Sequence, residues 1–451
     1  MCIRDSLNPQ PITIAETPGV DAYNDLTPRV GVAYDLFGNG KTALKMNWGK
    51  YLAYAANDSP YTSTNPGATI VRNVMNRQWN AAVAAGGNGD YVVDCNLLNP
   101  DANGECAAVT GNSRNFGQTG SASLVDPAVL GGWGVRPGDS QLTFTVQQEL
   151  VPRVSADFSY THRSFHGFFV TDDINRNPAT SYESYTLTAP QDSRLADGGG
   201  YPVVVFVPTP AANAVQPQTI LRKESYYGDE RQSTWDGIEF TVNSRMRNGL
   251  AIQFGGGTGR GLVDTCDTIT KYNNVNANTG AEAGPNPRGC HNVEPWQLSL
   301  GGSASYTIPK IDVLVSAVLR SRPPALLGNT ADTAATWQVP NSVIAAALGH
   351  LPPGATATGT TNIPLGDNEH RIYADNRRTQ IDMRIAKIVR IGRTRTDIGL
   401  DLNNLTNTNF ALGYNNTYIY GTDNTPRPSG WGTPTSITNP RFVRLNFTVN
   451  F

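Results

Sequence analysis

Residues Gln141–Arg163 read QLTFTVQQELVPRVSADFSYTHR, and they alternate with period two. Leu142, Phe144, Val146 and Leu150 fall on one face; Gln141, Thr143, Thr145, Gln147 and Glu149 fall on the other. After a short Val-Pro-Arg break, Val154, Ala156, Phe158 and Tyr160 alternate with Ser155, Asp157, Ser159, Thr161 and Arg163. Side chains on a strand point to opposite faces in turn, so this is a β-hairpin with one apolar and one wet face.

The unit recurs outward in both directions. Val30, Val32, Tyr34 and Leu36 precede the turn FGNGK (Phe37–Lys41), and Leu44, Met46 and Trp48 follow it. Ile238, Phe240, Val242 and Met246 precede Arg247-Asn248-Gly249; Leu250, Ile252 and Phe254 follow. Leu298, Leu300, Ala304, Tyr306 and Ile308 lead to Pro309-Lys310, then Ile311, Val313, Val315, Ala317 and Leu319. Ile381, Met383 and Ile385 lead to a turn near Ile391-Gly392-Arg393, then Ile398, Leu400 and Leu402. A last strand stands alone: Val443, Leu445, Phe447, Val449 and Phe451 alternate with Arg444, Asn446, Thr448 and Asn450. Five hairpins and one strand predict eleven strands.

The connections are asymmetric. Turns within a hairpin take a few residues, whereas the chain runs long between hairpins, over 55–138, 173–232, 261–293, 323–375 and 406–437. A compact soluble domain rarely holds structureless loops of that length. A soluble sandwich also alternates, but its turn signals come every 8–12 residues or so. Short turns on one side and long loops on the other belong to transmembrane barrels of the outer membrane, with the short turns periplasmic. The wet faces carry Glu239, Arg245, Asp382, Arg384, Asp397 and Asp401, which such a barrel turns toward its lumen, while the apolar face meets lipid. Trp48, Tyr51, Tyr54, Phe168, Phe169 and Trp235 are placed near the outer interface as an aromatic girdle. Tyr201–Val207 (YPVVVFV) is a candidate strand extension above the membrane.

Composition agrees. Only 16% of residues are charged against a usual ~25%, yet mean hydropathy is −0.34, so the polar surface is largely uncharged. A net charge of −2 gives no argument for nucleic acid. No stretch approaches 18 consecutive apolar residues, which removes a transmembrane helix but not a barrel. Of the five cysteines, Cys95 with Cys106 and Cys266 with Cys290 form two local pairs inside loops. Loop-closing disulfides in an oxidising compartment are the reading, with free thiols as the alternative.

Chemical motifs are sparse. GNGKT (Gly38–Thr42) lacks the first P-loop glycine, since Asp35 stands there, and a strand follows instead of a helix. Gly255–Gly261 (GGGTGRG) fails as a dinucleotide loop for the same reason and suits a strand top where small residues let a plug or loop approach. His162 and His166 share the outward face but make only two of the ligands zinc needs; His291, His350 and His370 show no ligand spacing. Asp172-Asp173 at a strand top is read as solvated, with a surface divalent cation as the alternative. No Ser/His/Asp constellation is legible, so the expectation is a protein without catalytic residues, metal or cofactor.

Leu26–Leu52 (LTPRVGVAYDLFGNGKTALKMNWGKYL) resembles the barrel region of TonB-dependent outer-membrane receptors, most closely the Oar-like group. Arg378–Asn409 resembles that family's penultimate hairpin, including its Asn-Leu-x-Asn ending at Asn404–Asn407. The loop DCNLLNPDANGEC (Asp94–Cys106) and the terminal NPRFVRLNFTVNF (Asn439–Phe451) are also similar. The resemblance implies a barrel of about 22 strands around an N-terminal plug, driven by the TonB complex and inserted by the barrel-assembly machinery reading the strand that ends at Phe451. It implies uptake of a large, scarce extracellular ligand; a non-transporting surface receptor or adhesin is the alternative, and a passive porin a third.

The first strand detected, near residue 29, runs down to a short turn, and the last strand also runs down. Met1–Ser6 (MCIRDS) has no apolar signal-peptide core and resembles a leader foreign to such receptors. The expectation is therefore a C-terminal half: 1–28 a non-native leader and incomplete upstream barrel segment, and 29–451 the last eleven strands. In that case TonB is reached only through a plug that these residues lack.

Overall fold

The computed structural model describes residues 19–54, 77–108 (except 84–86, 98 and 100), 124–273 (except 194 and 216), 285–327 (except 286, 288, 289 and 325), 336–427 (except 354, 366–371, 374–376, 393, 416 and 421–425) and 430–450. Met1–Ser6, Cys2, His370 and Phe451 lie outside them.

One antiparallel sheet dominates. Its path comprises β1 (Arg29–Asp35), β2 (Thr42–Leu52), β3 (Gly138–Val151), β4 (Val154–His166), β5 (Gln232–Arg245), β6 (Ala251–Asp264), β7 (Ser299–Ile308), β8 (Val313–Arg322), β9 (Arg378–Ile391), β10 (Thr394–Asn403) and β11 (Phe442–Asn450). Spatial order follows chain order, and a short strand His291–Val293 adds to β6. Each of the five hairpins and the lone strand read from the periodicity is present. Among the described residues β1 pairs only with β2 and β11 only with β10, so the wall is an open sheet with two free edges.

Register aligns the apolar positions into belts. Val32, Met46, Phe144, Tyr160 and Ile238 lie opposite one another across β1–β5. Tyr306, Val315, Ile385, Leu400 and Leu445 do the same across β7–β11. Outward apolar positions run from Ile238 on β5 to Met246 just beyond it, about 26 Å of chain at ~3.3 Å per residue, or about 20 Å across the bilayer at the ~40° tilt of barrel strands, close to the ~25 Å apolar band. Above it the outward face turns polar: Tyr160 donates to Asp236 (2.6 Å), and His162 meets the same carboxylate at 2.8 Å.

The opposite face is knit by polar side chains. Lys45 donates to Gln147 (2.7 Å), Thr145 meets Ser159 (2.8 Å) and Thr143 meets Thr161 (3.0 Å). Such cross-strand pairs hold register without apolar burial.

Short turns close one end. Pro152-Arg153 joins β3 to β4, and Gly249 and Gly392 adopt left-handed φ of 87° and 60° in the β5–β6 and β9–β10 turns, as tight hairpins require. At the other end lie five long connections: L1 (53–137), L2 (167–231), L3 (265–298), L4 (323–377) and L5 (404–441). No described helix is long and apolar enough to cross a membrane.

Tyr201–Val207 departs from expectation. It is a strand, Pro202–Pro208, but it pairs with Tyr182–Thr188 of its own loop in a separate two-stranded sheet and does not extend the wall. The girdle also needs correction. Trp48 is outward, but Tyr51 and Trp235 stand at inward positions of β2 and β5. Phe169 begins the strand Phe169–Asp173, which pairs with Thr219–Lys223 inside L2 and, through it, with Leu124–Val125 of L1. Phe168 lies beneath the Arg231 guanidinium, 4.9 Å from its ring centre. Residue type suggested a girdle; strand parity and loop pairing decided otherwise.

Candidate functional site

The long loops fold on one another into a layer over one end of the wall. L2, L4 and L5 share an apolar core. Tyr185, Leu187 and Val203 of the L2 hairpin pack with Trp337 and Val339 of the strand Thr336–Pro340, Ile344 of the helix Asn341–Leu348, Ile363 and Leu365 of L4, and Tyr418 and Trp431 of L5. Trp337 and Tyr418 lie in register on parallel strands. The Tyr201 hydroxyl donates to the Leu365 carbonyl (2.9 Å), and burial pushes the Tyr185 phenol up to about 12.

L2 meets L3 differently, through buried polar groups. Glu224, fully buried, accepts from Arg231 (2.5 Å) and from the Thr268 hydroxyl (2.7 Å). Asp172 accepts from the Tyr227 hydroxyl (2.5 Å) and the Asn273 backbone (2.8 Å). Asp173 accepts from the backbone of Asn175 and Gln218 and pairs with Arg176 at 3.5 Å. The two aspartates read as solvated are thus buried, because L2 folds around them and supplies most of their donors, while Asn273 of L3 closes over them, donating to the Asp172 carboxylate and the Asp173 main-chain carbonyl. Burial pushes the Tyr272 phenol beside them up to about 12.

Disulfides Cys95–Cys106 and Cys266–Cys290 close segments of L1 and L3. The first sits where the Arg77 guanidinium donates to the carbonyls of Ala107, Asn99 and Asp101. The second tethers the turn that carries Thr268, Tyr272 and Asn273 into L2.

The six inward charges scatter along the wall. Asp401 pairs with Arg384 (3.7 Å) and Arg444 (3.5 Å), bridging β9, β10 and β11. Asp382 pairs with Arg320 (3.6 Å) and accepts from the Asn404 backbone (2.8 Å). Asp397 pairs with Arg395 at 3.1 Å. Glu239 stands between Ser159 and Gly257 in register. Arg245 lines a 760 Å³ hollow at the short-turn end with Lys41, Glu149 and Arg153. The structure therefore does not gather these six into one site. Val443, Leu445 and Phe447 are exposed along the free edge of β11. Among the described residues no group of three or more His, Cys, Asp or Glu could hold a metal ion.

A sequence profile described as the outer membrane beta barrel domain matches residues 11–257, more than half of the chain. The chain belongs to the outer-membrane β-barrel domain family. It resides in the bacterial outer membrane, so the apolar belts meet lipid, the inward face lines the lumen, and L1–L5 are extracellular.

Three solved barrels are similar to it. The outer membrane transporter YddB from Escherichia coli aligns over 93% of this chain and 40% of its own, at 9% identity and a TM-score of 0.39. The FrpB iron transporter from Neisseria meningitidis (F5-1 variant) aligns over 93% and 38%, at 10% and 0.36. The ferric-catecholate import receptor Fiu from E. coli aligns over 93% and 63%, at 10% and 0.21. The chain thus spans about two fifths of the length of the first two. No curated protein sequence matches it.

The loop interfaces were missed in the sequence because their partners lie far apart in the chain, 44 residues for Glu224 and Thr268 and 101 for Asp172 and Asn273, with no periodic signal linking them. The inward position of Trp235 was legible: it is odd-numbered on a strand whose lipid-facing residues, Ile238, Phe240 and Val242, are even.

Proposed function

We propose that this barrel is the ligand-gathering wall of an uptake receptor, whose parent protein carries a large, scarce ligand across the outer membrane. The observation that supports this most is the loop layer. An open pore needs a clear mouth, whereas here L2 is joined to L4 and L5 by an apolar core and to L3 by hydrogen bonds to its buried carboxylates Glu224 and Asp172. Such a layer offers a preformed surface above the lumen. On this reading L1–L5 and the upper lumen contact the ligand, Glu239, Arg245, Asp382, Arg384, Asp397 and Asp401 make the lumen polar, and energy comes from the TonB complex through a plug. The eleven strands are half of a ring of about 22, and the alternating sequence positions Val443, Leu445, Phe447, Val449 and Phe451 are the C-terminal signal read by the barrel-assembly machinery.

The test is a gene deletion grown on a panel of single scarce nutrients. The expected result is loss of growth on one nutrient, restored by the gene only in cells with active TonB. Restoration without TonB, with faster entry of small polar dyes, would replace this reading with a passive pore. A deletion that alters only attachment to surfaces would replace it with an adhesin.

A further inference from the structure

Where the wall meets the loop layer, the inward residues of β3, β4, β5 and β6 form two neighbouring rows. Gln141, Arg163, Trp235 and Gly261 are in register in one, and Asp139, Phe165, Ser233, Val263 and Asn292 in the other. Gly261 has no side chain to fill its place in the first row. Glu294, whose backbone donates to the Gly261 carbonyl (2.7 Å), leans its carboxylate over the gap, 3.1 Å from where a Cβ would stand. The result is a recess of about 300 Å³ lined by Arg163, Phe165, Trp235, Gly261, Asn292 and Glu294, among others.

Trp235 gives the recess an aromatic wall. Its indole lies across Gly237 and Gly259 on the lumen face: a Cβ at Gly237 would come within 1.9 Å of the ring, and one at Gly259 within 2.6 Å. Only glycine at both positions lets the ring lie this close to the strands, which leaves its remaining surface for the recess. Arg163 supplies a fixed fork of donors. Asp139 holds it through both carboxylate oxygens, each at 3.0 Å, and its guanidinium sits 4.9 Å over the Phe165 ring. Those two contacts use part of the five N–H donors an arginine has.

We infer that this recess is a subsite for one neutral sugar ring of a carbohydrate ligand, an inference that rests on the receptor reading above. The chemistry selects the class. A pyranose has a flat C–H face, which an indole accepts, and a rim of hydroxyls, each both donor and acceptor. The guanidinium donates to that rim, the Glu294 carboxylate accepts from it, and an amide such as Asn292 does both. The charge is wrong for an anion: Asp139 balances Arg163, and Glu294 leaves the recess negative, which repels carboxylates, phosphates and anionic metal chelates. Its volume is at the lower end for a small-molecule site, so it takes one unit of a longer chain.

The test is calorimetric titration of the full chain in detergent micelles with maltotriose, cellotriose, xylotriose and chitotriose, and separately with a ferric catecholate and hemin. The expected result is binding of at least one neutral oligosaccharide. Trp235→Ala and Gly237→Ala weaken it at least tenfold, the latter by displacing the ring without touching its chemistry. Glu294→Gln also weakens it, and Trp235→Phe loses only a few-fold. Unchanged heat-shifted electrophoretic mobility of each variant confirms a folded wall. Binding of none of the four sugars, or equal binding by wild type and Trp235→Ala, overturns the subsite. Preference for the ferric catecholate or hemin overturns the ligand class but leaves the receptor reading standing. Failure of the deletion test, with Trp235-dependent sugar binding intact, strikes the transport reading alone.

Discussion

The wall and the loop layer of this barrel are built inside out with respect to each other. On the wall the large apolar side chains are exposed: Val30, Val32, Phe144, Phe158 and Phe447 all stand open on the outward face. In the loops they are hidden, with Val203, Val339, Ile344 and Leu365 fully buried. The residue types are the same; the solvent differs. Lipid rewards apolar exposure and forbids an unpaired backbone, so the wall pairs its amides strand to strand in one sheet, all but those along the edges of β1 and β11, and keeps its polar side chains inside. Water rewards apolar burial, so the loops form a core of ordinary soluble type. One chain carries both rules, and the boundary lies at the outward polar row of His162 and Asp236.

The comparison can be broken first in the loop core. Trp337 is buried among residues of three loops, and Trp337→Ala should cost about 3–5 kcal/mol of loop-layer stability. Limited proteolysis should then cut L2, L4 and L5 while the wall keeps its heat-shifted mobility. Loss of both together would mean that layer and wall fold as one unit.

On the wall the sign reverses. Phe158→Arg removes an exposed phenylalanine, a change that a soluble protein would tolerate. Near the bilayer midplane it should cost about 2–4 kcal/mol, seen as a lowered denaturant midpoint for refolding into lipid vesicles. An unchanged midpoint would show that this face does not meet lipid.

Cys266–Cys290 closes a 24-residue separation beside the polar L2–L3 contact. Cys266→Ser with Cys290→Ser should weaken that contact by about 2–4 kcal/mol. Hydrogen exchange should quicken around Thr268–Asn273 and leave the L2–L4–L5 core protected. Equal quickening in both would remove the distinction between the two loop interfaces.

The smallest effect is electrostatic. His350 donates to the Leu351 carbonyl (2.8 Å) and meets Glu183 at 3.0 Å, tying L4 to L2. Those two contacts, the carbonyl first, raise its pKa above 6.5. A raised folded value means the contribution is fully present below about 6.5 and is lost as pH rises through the folded pKa. Proteolysis of L4 should therefore quicken slightly on going from pH 6 to pH 8, and His350→Ala should abolish that dependence.

The sequence by itself determined the wall. Period-two alternation is a local signal, because each strand residue reports its own solvent, and the short turns announce themselves through Asn248-Gly249 and Gly392. The strand count, the side of the turns and the inward parity of Asp382, Arg384 and Asp401 all follow from neighbours within a few residues. Even Trp235 was within reach of that parity. Only the tertiary structure decided the layer above. That Val203 meets Trp337, that Glu224 meets Thr268, and that Asp173 is buried depend on pairings between loops, and loops carry no periodic code for their partners. The recess at Gly261 needed both: parity placed its residues on the lumen face, and folding brought Glu294 back over the gap beside Trp235.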